Sequence, residues 1–338
     1  MHKYSLFFIA LLSLLQLSSC VKSTDSDDDL VGNWVRRSDF EGKARTEAIA
    51  AVASNGSVYI GLGFDGTNRL LDFWEYNSEQ DAWFGRDTFP GTGRTGAISF
   101  SVNNKVYVGL GHDGVNYLND LWEYDPADDS WERKADFPSS GRSGATAFAI
   151  GDLGYICSGY DGNYLKDFWS YNPSSNEWTK LTSPLGSKRN EAVVFVIDNK
   201  AYLATGINNG EYVSDFYVYD PSTQSWQEKR RIINYDDDLD YDDDYSTIVR
   251  QGAVAFSVNG KGYITTGISS SSYLNNTWEY DPATDTWTER TGFEGTGREG
   301  AIGFSVNNRA FVGLGKSSSL RFDNFLEFLP TAEYEEND

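Results

Sequence analysis

An eight-residue tract, Tyr-Asp-Pro-Ala-Asp-Asp-Ser-Trp from Tyr124 to Trp131, returns as YNSEQDAW from Tyr76, YNPSSNEW from Tyr171, YDPSTQSW from Tyr219 and YDPATDTW from Tyr280. Five copies confine the chain to an array of like units. A period near 50 residues is the length of one four-stranded propeller blade, so the fold and the number of blades both follow from the register.

Each unit opens with an arginine before a run of small and β-branched residues: Arg45, Arg94, Arg142, Arg189, Arg250 and Arg298, spaced by 49, 48, 47, 61 and 48 residues. A glycine closes the next apolar strand at Gly63, Gly111, Gly159, Gly206, Gly267 and Gly315, and an aromatic follows at Tyr76, Tyr124, Tyr171, Tyr219, Tyr280 or Phe328. Tryptophan comes seven residues later in the first five units, whereas the sixth has none. Trp34 lies eleven residues before Arg45, the interval that also separates Trp131 from Arg142. Residues 32–37 are therefore expected to supply the missing outermost strand of the sixth blade and close the ring without a free sheet edge. The fold class is all-β, a six-bladed propeller.

Strand chemistry supports this reading. Val106-Tyr107-Val108-Gly109-Leu110 and Leu121-Trp122-Glu123-Tyr124 are β-branched and aromatic, with the turn residues His112-Asp113-Gly114 between them. No mature segment keeps a helical period. The repeated Tyr and Trp are expected to pack between blades.

The glycine closing the second strand (Gly-Leu-Gly, Ser-Gly or Thr-Gly here) followed by Tyr-Asp-Pro-x-x-x-x-Trp resembles the kelch family over residues 32–329. That resemblance implies the propeller but leaves function open, because kelch propellers host enzymes, adaptors and carbohydrate binders.

Met1-His2-Lys3, the apolar run Leu6 to Leu17 and Leu17-Ser18-Ser19-Cys20 resemble the signal and lipobox of bacterial lipoproteins. An apolar run this short is a signal core rather than a membrane span. The expected organisation is a signal peptide over 1–19, an acidic tether over 20–31 beginning at lipidated Cys20, the propeller over 32–329 and an acidic tail over 330–338. Val21 after the cysteine resembles lipoproteins passed to the outer membrane, and Asp27-Asp28-Asp29 resembles surface-export signals. The expected location is the outer membrane, reached through the lipid alone, with the cell surface as its outward-facing form.

Charge and composition exclude several functions. With 28 Lys and Arg against 50 Asp and Glu, net −22, the chain lacks the basic field that nucleic acid requires. Cys157 is the only cysteine besides Cys20, which leaves no pair for an internal disulfide, and its strand position suits a buried apolar filler. His112 is the only histidine of the mature chain, which rules out the copper chemistry of kelch oxidases and the histidine-dependent hydrolase constellations. A monomer is expected, with no cofactor apart from calcium.

The calcium reading rests on the one interval that breaks the repeat. Trp226 to Arg250 spans 24 residues, and the extra 13 lie within the aspartate-rich run Asn234 to Tyr245. Asp236, Asp238, Asp240, Asp242 and Asp244 offer the oxygen ligands that calcium takes. Tyr245 stands where an EF-hand needs glycine, so the choice is between an irregular calcium loop and a solvated acidic one.

Propeller topology places the outer-to-inner crossovers and the loops after the second strands on one face. Arg45, Arg94, Arg142, Arg189, Arg250 and Arg298, with Phe64-Asp65, His112-Asp113 and Tyr160-Asp161, are expected to converge there as a mouth for a glycan or protein ligand. Resemblance to kelch adaptors implies arginines that hold acidic peptides. The other reading pairs each arginine with a neighbouring blade's carboxylate as a structural element. Glu47, Glu191 and Glu299 would partly neutralise the ring. A second function, implied by resemblance to the kelch sialic-acid mutarotases, would use Glu211 as base, although the basic-Pro-Gly-Leu-Arg tract of those enzymes is missing.

Overall fold

The computed structural model describes residues 30–235 and 240–335. The signal segment, Cys20, nearly all of the tether, Asp236, Asp238 and the last three residues of the tail lie outside the described residues.

Six antiparallel four-stranded sheets surround a central channel, and no helix occurs among the described residues. Their innermost strands, Ile49–Val52, Ile98–Val102, Thr146–Ile150, Val193–Ile197, Val254–Val258 and Ile302–Val306, alternate buried and half-buried residues. One side of each strand enters the core between blades and the other lines the channel, which is the two-residue period of a strand. The second strands, such as Lys105–Gly109, are buried on both faces, which is why they read as continuous apolar runs.

The sixth blade is closed as the displaced tryptophan requires. Asn33–Arg37 runs antiparallel to Phe325–Leu329 with Trp34 opposite Phe328, the register that places Tyr124 opposite Trp131 in the second blade. The repeated tract packs between blades: the Tyr124 ring lies 5.2 Å from Tyr59 and 4.9 Å from Phe73 of the preceding blade.

Outer tryptophans also staple the blades by hydrogen bonds. Indole Nε1 donates to a carbonyl just after the preceding outer strand: Trp83 to Ser38, Trp131 to Asp87, Trp178 to Ala135, Trp226 to Thr182 and Trp34 to Thr291, at 2.9 to 3.3 Å. Trp287 is the exception, because the crossover before its blade carries the insertion. Its Nε1 is buried without a partner among the described residues, and its backbone N–H donates to the Tyr245 hydroxyl instead.

The acidic insertion is anchored to the core rather than standing wholly free of it. Ile232, Tyr245 and Ile248 flank the insertion and are buried in the core between the fourth and fifth blades. Arg230 covers the Tyr241 ring at 4.3 Å, and buried Asp242 accepts the Tyr235 N–H at 2.9 Å.

Candidate functional site at the channel mouth

The six repeated arginines do not face the channel; every one is at most 1% exposed. Arg45 forms a two-pronged pair with Asp72 at 2.6 Å on both prongs, and Arg94 and Arg142 bind Asp120 and Asp167 in the same way. Arg189 pairs with Asp215, while Arg250 and Arg298 meet the amide oxygens of Asn276 and Asn324 at 2.9 and 2.8 Å. These partners belong to the same blade, not to the neighbour the sequence suggested.

Each guanidinium also donates to the carbonyl of the residue before its blade's closing glycine: Leu62, Leu110, Ser158, Thr205, Thr266 and Leu314. Those residues and the glycines are all left-handed, with φ between 55° and 103°. The arginine thus clamps a strained turn. Desolvation pushes the guanidinium of Arg250 down to about 9 and those of Arg189 and Arg298 to about 10. The ligand-binding assignment of Arg45, Arg94, Arg142, Arg189, Arg250 and Arg298 is corrected accordingly, since none presents its fork to the mouth. Their Asp and Asn partners went unnoticed, although they recur 25 to 27 residues after each arginine.

The mouth is built from the residues just after each arginine. Thr46, Thr95, Ser143, Asn190, Gln251 and Glu299 bridge to Phe64, His112, Tyr160, Ile207, Ile268 and Lys316, which follow the closing glycines. Phe64, His112 and Tyr160 are half-buried beside Thr46, Thr95 and Ser143 on this face. Tyr117 lies 4.8 Å from His112 and 6.0 Å from Tyr160, which in turn lies 5.0 Å from Tyr164, making an aromatic row across the second and third blades.

Asp65, Asp113 and Asp161 turn back into their own loops instead. Asp65 accepts the N–H groups of Thr67 and Asn68, Asp113 those of Val115 and Asn116, and Asp161 that of Asn163. Backbone donors hold Asp65 below the usual carboxylate range and Asp113 at about 2. These are aspartate-capped turns.

One residue further along each blade the chain is left-handed in all six cases, at Glu47, Gly96, Gly144, Glu191, Gly252 and Gly300, with φ from 53° to 60°. Their backbones form a belt: N–H of Glu47 donates to Gly300, Gly300 to Gly252, Gly252 to Glu191, Glu191 to Gly144 and Gly144 to Gly96, at 2.8 to 3.3 Å. Four blades use glycine here, as left-handed geometry favours. Two use glutamate, in the first and fourth blades, which stand opposite each other in a ring of six.

Glu47, Glu191 and Glu299, with Ser143, Gln251 and Lys316, line a cup of about 380 Å³. Below it Ala48, Ala97, Ala145, Ala192, Ala253 and Ala301 narrow into a channel space of about 210 Å³. Lys316 pairs with Glu299 at 3.3 Å, leaving Glu47 and Glu191 without a lysine or arginine ion-pair partner among the described residues. Burial, then the charges of Glu47 and Glu299, push the Glu191 carboxyl up to about 7. The sequence named these glutamates only as neutralisers of the arginines; with the arginines withdrawn, the carboxylates are what the mouth presents.

The remaining assignments lie elsewhere. Glu211 is exposed on the hairpin strand Glu211–Tyr212 and lines a separate cavity of about 160 Å³ with Ser187, Tyr212 and Arg231. Asp240 and Asp244 are exposed and Asp242 is buried. No group of three or more metal-ligating side chains clusters among the described residues. Cys157 is fully buried, and desolvation pushes its thiol up to about 11, as suits an inert filler.

Comparison with known proteins agrees with this architecture. The family model described as the KLHDC2/KLHL20/DRC7 Kelch-repeats domain matches residues 34–188, and the Kelch motif matches residues 188–230 and 250–292. No curated protein matches the chain. Among solved structures, the chain is similar to the structure of YjhT, at 17% identity and a TM-score of 0.71, covering 86% of this chain and 96% of that one. At that identity the likeness speaks for the fold alone.

Proposed function

Since the chain is a six-bladed kelch β-propeller, we propose that it is a binding module that takes a glycan at the carboxylate-lined channel mouth, held to the outer membrane by a lipid on Cys20. The observation that carries the reading is the choice of Glu47 and Glu191 where four blades have glycine. A left-handed non-glycine residue costs about 1 kcal/mol or more, and strain of that kind gathers at functional sites. The cup is of the size that encloses small ligands. Its carboxylates, the Gln251 amide and the Ser143 hydroxyl suit sugar hydroxyls, and the row from His112 to Tyr164 is a stacking surface for a second sugar ring.

A glycan and peptide array with the mature protein tests the reading. Glycan signals lost on Glu47→Gly support it; peptide signals alone overturn the glycan assignment in favour of a protein ligand. The anchor is tested separately by mass spectrometry of the N-terminal peptide, with an unmodified Cys20 counting against it.

The retained second reading is a sugar isomerase related to the sialic-acid mutarotases. Its support is the Glu191 carboxyl in the cup, which burial and the charges of Glu47 and Glu299 push up to about 7, in the range that suits a general base. Exchange NMR of sialic acid anomers decides it: acceleration lost on Glu191→Gln or Glu211→Gln identifies the base, and no acceleration removes the reading.

A further inference from the structure

We infer that Arg69 and Arg321 hold an anion beside Phe64, so that, on the reading that the mouth takes a glycan, the glycan carries an acidic sugar. In each blade the residue after the closing glycine pairs across a short hairpin with a second residue. That second residue is Tyr117, Tyr164, Tyr212 or Tyr273 in the second to fifth blades, and Arg321 or Arg69 in the sixth and first. The bond from Gly315 N–H to the Arg45 carbonyl makes those two blades neighbours, so the departures from tyrosine fall side by side.

The two guanidiniums gather on one ring. Arg69 lies 5.4 Å from the centre of Phe64 in its own blade, and Arg321 crosses from the sixth blade to lie 5.1 Å from the same centre. Like charges brought together in this way repel unless a counter-charge or solvent offsets them. Arg45, Arg94 and Arg142 have their aspartates, yet no carboxylate among the described residues pairs with Arg69 or Arg321, in a chain with 50 acidic side chains. Nε of each is buried without an acceptor, and the one hydrogen bond that either guanidinium makes among the described residues runs from Arg321 Nη1 to the Ser319 carbonyl at 3.0 Å. Both side chains as a whole are half-buried, so each keeps an edge open to a ligand. A guanidinium carries five N–H donors in a planar fork, and a carboxylate or sulfate is the partner that matches it.

The acids nearby are already committed. Asp65 caps its own loop and pairs with Lys43 at 3.2 Å, and Glu299 pairs with Lys316. Phe64 stands next to the cup, because it bridges to Thr46, which precedes Glu47 of the cup lining. The carboxylates of the cup repel an anion, so the acidic group turns outward onto the arginines while sugar hydroxyls point into the cup.

An array probed with the mature protein at pH 7 tests the inference. Its probes are oligogalacturonates and their carboxyl-reduced forms, sulfated and unsulfated galactose oligomers, and oligoglutamate peptides. An acidic oligosaccharide should bind about tenfold or more tightly than its neutral counterpart, with the difference erased by Arg69→Gln or Arg321→Gln. The galacturonate and sulfate arms tell which anion is taken, and a preference in either supports the inference. Equal binding of acidic and neutral forms overturns the anion and leaves the glycan reading standing. Oligoglutamate binding alone, lost on the same substitutions, supports the arginine site and removes the glycan. Capture of no acidic probe overturns the inference. Arg69→Tyr and Arg321→Tyr install the residue that four other blades carry here, so they separate a folding defect from the loss of an anion partner. A folded tyrosine variant that keeps the acidic preference overturns the assignment of these arginines.

Discussion

The backbone N–H of Gly315 donates to the carbonyl of Arg45 at 2.8 Å, joining the sixth blade to the first. The same bond joins Gly63 to Arg94, Gly111 to Arg142, Gly159 to Arg189, Gly206 to Arg250 and Gly267 to Arg298. Each arginine therefore clamps its own blade by its side chain and the preceding blade by its main chain. Arg94→Ala should leave Asp120 without its partner and cost about 3 to 5 kcal/mol. Urea unfolding measures this, and a loss below 1 kcal/mol would show that the buried pair contributes little.

Asn324→Asp is expected to stabilise the protein by about 1 kcal/mol, by giving the Arg298 guanidinium a charged acceptor like those in four other blades. Asn276→Asp should not, since the Asn276 amide donates to Glu289 Oε1 at 3.2 Å and an aspartate would face that carboxylate. Paired melting curves distinguish the two, and equal gains would rule out the Glu289 effect.

Glu47→Gly and Glu191→Gly should each hold or raise stability by up to about 1 kcal/mol through relief of the left-handed strain, while weakening ligand capture. A fall in stability with no change in array binding would make these glutamates structural.

The raised Glu191 carboxyl gives stability a definite pH dependence. Its folded value, about 7, exceeds the ordinary 4.5, so its stabilising contribution is complete below about 4.5 and is lost as pH rises through 7. Glu191→Gln should therefore gain on the native protein by on the order of 1 to 3 kcal/mol between pH 4.5 and 8. Burial sets this value first, the charges of Glu47 and Glu299 raise it further, and Lys316 lowers it. Melting temperatures across that range provide the check, and parallel curves would remove the claim.

Trp131→Phe and Trp287→Phe remove the same indole from two blades with different consequences. Trp131 loses a bond to the Asp87 carbonyl, whereas the buried Nε1 of Trp287 has none to lose among the described residues. The first substitution should cost about 1 kcal/mol more than the second. Equal costs in chemical denaturation would mean that an unseen acceptor serves Trp287.

The propeller was legible because its determinants are periodic. Trp34 could be assigned to the sixth blade from an eleven-residue interval alone, and it lies opposite Phe328. The mouth was legible as a place but not as a chemistry. Repetition of arginine in six blades looked like a ligand ring, yet identical residues in every blade answer a need that every blade shares, here the clamp on a left-handed turn. Glu47 and Glu191 carried the opposite signal by departing from glycine, but reading it required knowing that the position is left-handed, which residue spacing does not reveal. The buried flanks of the aspartate-rich insertion escaped because Ile232, Tyr245 and Ile248 are scattered among charges that dominate its composition.

Closure of the sixth sheet has a kinetic meaning. Arg37 and Glu327 meet across 290 residues of sequence, so the last seam forms only after nearly the whole intervening chain is in place. Loop-closure entropy makes that step slow to reach, and the same seam must tear before any blade can leave the ring. A linear array sheds its terminal units one at a time; this ring has no terminal unit to shed. Its persistence is therefore governed by the rate at which one seam opens, so a lifetime describes it better than a sum over six blades.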